Sequence, residues 1–387
     1  MVMFFGWLLT AIWIVAAGLP SLWFIGRTLK QHSDRVPDPV EWPFLSVVVP
    51  ARDEGHKIEA GLRSLFAADY PQFEILALDD RSRDETGAIM DRLAAEDANS
   101  SPSVLQVIHI TELPDGWLGK NHALHVGSQR AKGDWILFTD GDVVYQPDTL
   151  RRAVKYALAR GIDHLPLFPN IEAPGVFEAS FVACFVLVFA GGTQPALVPS
   201  RLPWFYVGVG AFNLVRRSAL ERADGFEPIR LDIMDDVKLG KLLKRTGSRS
   251  EVLCAGEAFR IRWQNSAWAC ITGLEKNAFA AANYSIIGLL WIAIASTFVF
   301  VGPLVGTLFA GDARMGYVVA LVLSHAIYAF NARIFGHSTW IFPLLIPSGL
   351  SFVFAFLRSM WITLRQGGVR WRDTFYPLSL LRKNVYY

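Results

Sequence analysis

The densest chemistry in the chain is Asp140-Gly141-Asp142, which follows directly on the β-branched and aromatic run 135–139. Gly141 permits a turn that lets both carboxylates approach one cation. A carboxylate about 4 Å from a phosphate oxygen is repelled by roughly 4 kcal/mol at an effective dielectric near 20. Such a pair facing a diphosphate therefore requires a divalent metal, and hard oxygen ligands suit Mg²⁺ or Mn²⁺. The bland alternative is a surface turn. A second acidic pair, Asp235-Asp236, opens a helical stretch. There it serves either as a cap and first-turn pair or as a general base that takes a proton from an attacking hydroxyl, with Asp236 the candidate base.

Two further acidic clusters follow β-like runs: Pro50-Ala51-Arg52-Asp53-Glu54 after the run 45–50, and Asp79-Asp80-Arg81-Ser82-Arg83-Asp84 after 73–78. A carboxylate at a strand end accepts hydrogen bonds from a nucleobase or ribose, or else caps the next helix. Capping is the better explanation for Asp84, and ligand contact for Asp53 and Asp80. Lys120, in Gly116-Trp117-Leu118-Gly119-Lys120-Asn121-His122-Ala123-Leu124, either neutralises a phosphorylated ligand, positions a carboxylate, or is solvated. His122 and His125 lack the i, i+4 spacing of a metal pair and read as packing or surface residues.

The elements that must hold these residues form an α/β pattern between residues 45 and 280. Runs at 45–50, 73–78, 104–110 and 135–139 read as strands of a largely parallel sheet, each followed after a gap by a helical stretch. Ligands of open parallel sheets bind beyond the carboxyl ends of the strands, where the acidic clusters lie.

Outside this region the chain is strongly apolar, and 52% of all residues are hydrophobic. Residues 3–25 carry no charge and are long enough to cross the bilayer. Their amino-terminal flank lacks the basic residues of a cleavable signal, so residues 1–26 read as an anchor. Arg27, Lys30 and Arg35 follow it, which puts the next domain in the cytosol. Residues 286–310, 315–335 and 339–357 are further candidate spans within a region 284–358. Three crossings would leave the basic tail 359–387 outside, so the last, interrupted by Pro343 and Pro347, reads as re-entrant. The apolar stretch 176–190 and the amphipathic stretch 265–283 lie either at the membrane surface or in a core.

Lysine plus arginine number 37 against 35 aspartate plus glutamate, which leaves no basic field for nucleic acid. Cys184, Cys254 and Cys270 are too far apart for a zinc site or a disulfide framework and read as reduced thiols.

Taken in order, these motifs resemble the large inverting glycosyltransferase family 2, with its Rossmann-like GT-A catalytic domain. The flanking spans resemble its membrane-integrated branches, such as ceramide glucosyltransferase-like and hopanoid- or carotenoid-associated enzymes. The resemblance covers residues 45–280. It implies a nucleotide-sugar donor, a UDP-sugar in the first instance, and a lipid or membrane-associated acceptor at a bacterial inner membrane. It also implies nucleotide-sugar contacts from Pro50, Arg52, Asp53, Glu54, Asp79, Asp80, Lys120 and Asp140, a metal on Asp140 and Asp142, and catalysis by Asp236 with Asp235. The family's Gln-x-x-Arg-Trp element is matched only at Arg262-Trp263, expected to meet the diphosphate and the acceptor, because Phe259 stands in the Gln position. That departure favours transfer of one sugar over a processive polysaccharide synthase. A rival of another class is a nucleotide-binding scaffold or transporter.

Overall fold

A computed structural model of the chain describes residues 1–99 and 102–386. The chain divides into two units. The first gathers Gly26–Asn170, Leu197–Ile261 and residues 384–386. The second gathers Met1–Ile25, Ile171–Ala196 and Arg262–Lys383.

The first ten strands along the chain are β1 (Leu45–Ala51), β2 (Phe73–Asp80), β3 (Leu105–Ile110), β4 (Trp135–Phe138), β5 (Val144–Tyr145), β6 (His164–Phe168), β7 (Asn170–Ile171), β8 (Asn213–Arg216), β9 (Leu253–Cys254) and β10 (Phe259–Ile261). Seven form one sheet in the order β3-β2-β1-β4-β8-β6-β9, and β5, β10 and β7 form a smaller one. β1 to β4 run parallel, whereas β8 is antiparallel to both β4 and β6. The four runs read as strands are therefore strands, with ends shifted by no more than two residues.

Alternation along each strand builds a core on both faces of the sheet. Val47, Val49, Ile75 and Ala77 pack with Leu62, Leu65, Met90 and Leu93 of the helices Ile58–Phe66 and Thr86–Asp97. On the opposite face Val48, Leu76 and Leu78 pack with Leu124 of the helix Gly119–Arg130 and Leu239 of the helix Asp235–Arg245. Each fully buried aliphatic side chain contributes about 1.5–3 kcal/mol.

The sheet opens where the site lies. β1 pairs with β4 only as far as Val48 opposite Phe138, closed by the bond from Thr139 N to Val48 O at 3.2 Å. Pro50, two residues on, faces the same side of the strand. Its missing N–H falls beyond the last ladder bond, which is why a proline is tolerated in a central strand.

The second unit is mainly helical and also carries an antiparallel pair of strands, β11 (Gly368–Trp371) and β12 (Thr374–Pro377). It contains four helical stretches long and apolar enough to cross a membrane besides the first, Val2–Trp23: Val176–Leu197, Ile286–Phe309, Gly311–Ile334 and Thr339–Gln366. Small residues let these helices approach closely. A Cβ on Gly316 would lie 2.8 Å from the backbone of Gly6, where Thr10 Oγ1 also donates to Gly316 O at 2.9 Å.

Of the two readings of residues 176–190, burial in a core describes most of the segment: more than half of that span is buried inside its unit, although Val176 and Phe177 are exposed. Tyr328 OH donates to Ser180 O at 2.7 Å, and Phe181 packs on Phe352. Pro347 does not interrupt the last helix, because it sits in the first turn of Leu345–Gln366, where no intrahelical donor is lost. The 45–280 boundary also differs from the compact units, since 171–196 and 262–280 group with the helices. Their apolar faces are buried there: Phe185 meets Trp263, and Phe279 N donates to Ser359 Oγ.

Candidate active site

Asp140, Lys120, Asp235 and Asp236 are brought together at the carboxyl end of β4. Asp140 leaves the strand through its own N–H, which donates to Gly210 O at 3.2 Å. Thr139 Oγ1 donates to Ala211 O at 2.9 Å and meets the Tyr145 hydroxyl at 2.6 Å, fixing the direction in which the chain departs. Lys120, in the first turn of its helix, reaches Asp140 Oδ1 at 2.7 Å and Asp235 Oδ2 at 3.2 Å. Burial opposes its charge, but Asp140, Asp235 and Asp236 hold the ammonium well above the ordinary lysine value.

Asp235 and Asp236 are the first two residues of their helix, and Met234 is its N-cap. Asp236 is therefore not the cap. Its Oδ1 accepts from Val237 N and its Oδ2 from Gly210 N, both at 2.8 Å. Burial and then the neighbouring Asp235 push its carboxyl up to about 6, against the pull of Lys120. A base with such a value is ionised at neutral pH yet holds a proton more readily than a free aspartate.

Glycines allow this closeness. A Cβ on Gly208 would lie 1.7 Å from Asp236 O, and one on Gly240 2.0 Å from Val207 O, so any side chain would push the helix Asp235–Arg245 off the 207–210 segment. At Gly210 the missing side chain leaves a cradle. The point where its Cβ would stand is 3.0 Å from Asp140 Oδ2, 3.5 Å from Asp236 Oδ2 and 3.6 Å from Lys120 Nζ. A narrow pocket lined by Lys120, Thr139, Asp140, Gly210, Asp235 and Asp236 adjoins this point.

Asp142 is held differently from Asp140: its Oδ2 accepts from Lys57 Nζ at 2.9 Å. Gly141 is not in a left-handed conformation. Its lack of a side chain serves packing instead, since a Cβ there would lie 2.7 Å from Ile58 Cδ1. Among the described residues no three His, Cys, Asp or Glu side chains converge on one point. The two aspartates are 38% and 34% exposed, and each is engaged by a different lysine, Lys120 and Lys57; carboxylates are the oxygen donors that a hard divalent cation takes.

The acidic clusters after β1 and β2 form a second, knitted region. Asp80 is 4% exposed and gripped by Arg81, with Nε to Oδ1 at 2.7 Å, while Arg52 lies 4.0 Å away. Asp79 accepts from Ser82 N at 3.1 Å and meets His109 Nδ1 at 3.0 Å. Asp53 is in the left-handed region, accepts from Arg83 N at 2.8 Å and donates its own N–H to Ser82 Oγ. Glu54 N donates to Thr86 Oγ1 at 2.8 Å. Asp84 accepts from Thr86 N at 2.9 Å and Gly55 N at 3.0 Å; the N-cap of the helix is Glu85, so Asp84 stands one residue before the expected capping position while still taking up the first helical N–H. Pro50 lies opposite Leu78, one residue before these loops begin.

Arg262 and Trp263 fall in the helical unit, where the Trp263 ring stands 4.5 Å from Phe185. Phe259 is 1% exposed, stacked on Phe212 and edge-on to Tyr145, which explains an apolar residue at that position. His122 and His125 flank Trp117 as packing residues.

Sequence reasoning missed Lys57, Gly210 and Asn121. Asn121 is wholly buried, and its Nδ2 donates to Ile229 O at 2.8 Å and Asp232 O at 3.0 Å, tying the Lys120 helix to the loop before Asp235. The alternating glycines 208 and 210 were a signal for close backbone approach. No local pattern pointed to Lys57.

Residues 46–222 match the family model described as glycosyl transferase family 2. Among curated relatives, the chain is 24% identical over 207 residues to 4,4'-diaponeurosporenoate glycosyltransferase of Staphylococcus haemolyticus, covering 52% of each chain. It is 33% identical over 118 residues to undecaprenyl-phosphate 4-deoxy-4-formamido-L-arabinose transferase of Pseudomonas syringae, covering 30% of this chain and 32% of that one. The chain thus spans about half the length, or less, of these relatives. In fold it is similar to a mannosyltransferase from Pyrobaculum calidifontis solved in complex with GDP-Man and Mn²⁺, with a TM-score of 0.56 and 19% identity over 94% of this chain and 99% of that one.

Proposed function

We propose, on the premise that residues 46–222 form a glycosyl transferase family 2 domain, that this chain transfers one sugar from a nucleoside diphosphate sugar to a lipid-borne acceptor, with inversion at the anomeric carbon. The observation that carries the reading is the cradle at Gly210, around which Asp140, Asp236 and Lys120 converge. Asp236 accepts the proton of the acceptor hydroxyl as it attacks the anomeric carbon, and one in-line displacement inverts that centre. Its two backbone donors, Gly210 N and Val237 N, fix the carboxylate's orientation. Lys120 holds Asp140 and Asp235 against mutual repulsion and contributes positive charge beside the departing diphosphate. Asp140 and Asp142 would hold a divalent cation, which when bound supplies Lewis-acid charge at the diphosphate. Asp80, Arg52 and Asp53 border the crevice expected to receive the nucleotide.

An apolar acceptor is supported by the helices long enough to span a bilayer and by the names of the undecaprenyl-phosphate and diaponeurosporenoate relatives. Arg27, Lys30 and Arg35 after the first of those helices favour a cytosolic domain. The burial of Phe259 between aromatic rings favours single transfer over polymer synthesis, since no side chain there reaches toward a donor.

The test is incubation of the purified chain with radiolabelled nucleotide sugars, Mg²⁺ or Mn²⁺, and a total membrane lipid extract, followed by chromatography. One labelled lipid species, lost in excess chelator, is the expected result. A ladder of long products would replace the reading with a polysaccharide synthase. Donor binding with no nucleotide release from any sugar would replace it with a binding scaffold.

A further inference from the structure

The helix that carries Asp235 and Asp236 is held from a distant part of the chain. Residues 384–386 belong to the sheet-bearing unit, and the Tyr386 ring packs against the core cluster that includes Phe226, Ile229, Leu239 and Leu242. Tyr386 O accepts from Lys238 Nζ at 2.7 Å, and Tyr386 N donates to Asp232 Oδ2 at 3.3 Å. Lys238 and Asp232 are themselves paired at 3.3 Å, and they are 4% and 7% exposed. The cations of Lys241 and Arg245, one and two turns further on, lie 5.9 and 5.5 Å from the centre of the Tyr386 ring.

These contacts bracket the acidic pair. Asp232 stands three residues before Asp235, and Lys238 two residues after Asp236. Asn121 fixes the backbone of Asp232 from the opposite side, through the helix that carries Lys120. A one-residue shift of the helix start would break the bonds from Gly210 N and Val237 N that orient Asp236. Remote restraint of this kind matters to chemistry, because misplacement of about 1 Å can cost on the order of 10²-fold in rate.

We propose that residues 384–386 form a strap that sets the position of the Asp235-Asp236 helix start, with Tyr386 as a positioning residue for the transfer reaction. The part of the inference that concerns catalysis rests on the reading of Asp236 as the base. The ring and the backbone of Tyr386 carry the contacts, and its hydroxyl carries none of those described. Tyr386→Phe therefore keeps the strap, Tyr386→Ala removes the ring contacts that seat it, and a chain ending at Lys383 removes the backbone contacts as well.

The experiment compares these variants with the intact chain in detergent by amide hydrogen exchange and by steady-state kinetics. In Tyr386→Ala, exchange across 232–240 is expected to quicken at least tenfold while 45–51 stays unchanged. The turnover number should fall about 10- to 100-fold with KM for the donor within about twofold, and Tyr386→Phe should behave as the intact chain. Unchanged exchange across 232–240 would overturn the strap. Faster exchange with normal turnover would leave a purely structural contact and overturn the positioning role. An intact chain that transfers no sugar would remove the reading of Asp236 as the base and the positioning role with it, while exchange still decides the restraint. If Tyr386→Ala fails to fold, the chain ending at Lys383 and a Tyr386→Leu variant, which retains apolar bulk without a cation-binding ring, supply the same comparison.

Discussion

The loops after β1 and β2 and the cluster after β4 use the same residue types to opposite ends. In the first region the four aspartates are matched: Asp80 by Arg81, Asp79 by a backbone N–H and His109, Asp84 by two backbone donors, and Asp53 by Arg83 N. In the second, three carboxylates, Asp140, Asp235 and Asp236, lie around one ammonium, Lys120, with two backbone N–H groups on Asp236, and the neighbouring glycine leaves a space among them. The matched region builds two loops into one rigid rim. The second region gathers more acidic than basic side chains, and under the proposed function a cation or a proton answers that difference.

Replacement of Asp236 tests this contrast hardest. Asp236→Asn is expected to lower turnover by about 10²–10⁴ with little change in donor affinity. Stability should shift by less than about 1 kcal/mol, because loss of a disfavoured charge offsets loss of one acceptor at Gly210 N or Val237 N. The folded value near 6 lies above the ordinary 3.8, so this group's contribution to stability declines as pH rises from about 4 to about 6. Turnover runs the other way and falls as pH drops through about 6. Paired calorimetry and transfer assays on the variant, with a pH profile of the intact chain, check each part. Near-normal transfer would put Asp236 with the matched carboxylates.

Filling the cradle is expected to do less. Gly210 has no left-handed backbone, so Gly210→Ala should fold normally while its Cβ enters among Asp140, Asp236 and Lys120. A loss of about 10- to 100-fold in turnover is expected, with an unchanged denaturation midpoint. Full activity would mean that the space is not used.

The matched region should respond with the opposite signature. Asp79→Asn weakens the pairing with His109 and should lower stability by about 1–2 kcal/mol in urea titration, with turnover per folded molecule held within about twofold. A selective loss of donor affinity would instead make Asp79 a ligand contact and blur the comparison. The smallest effect is at His109, whose value is raised by its bonds to Asp91 and Asp79. A raised histidine stabilises below its unfolded value near 6.5, and that contribution is lost as pH rises through the folded value. At 44% exposure the gain is no more than about 0.5 kcal/mol. His109→Gln should therefore flatten the stability curve on the acid side and leave it unchanged in mild alkali.

Much of this could be read without coordinates, for reasons that are local. Strand alternation and apolar helical periods depend on consecutive residues, so β1 to β4 and most spanning helices were evident from 387 letters. Asp140, Asp142, Asp235 and Lys120 stood out because each sits beside a strand end or helix start that its neighbours already define. What escaped is set by pairs far apart in the chain: Lys57 with Asp142 across 85 positions and Lys238 with Tyr386 across 148. The division of 45–280 between two units escaped for the same reason, since the helix Val176–Thr193 looks alike whether it buries against a sheet, a membrane or other helices. The sequence determined which residues are able to do chemistry, because residue type and local backbone are written in adjacent positions. Only the tertiary structure decided which carboxylates are already satisfied, because a charge is neutralised by whatever stands next to it in space.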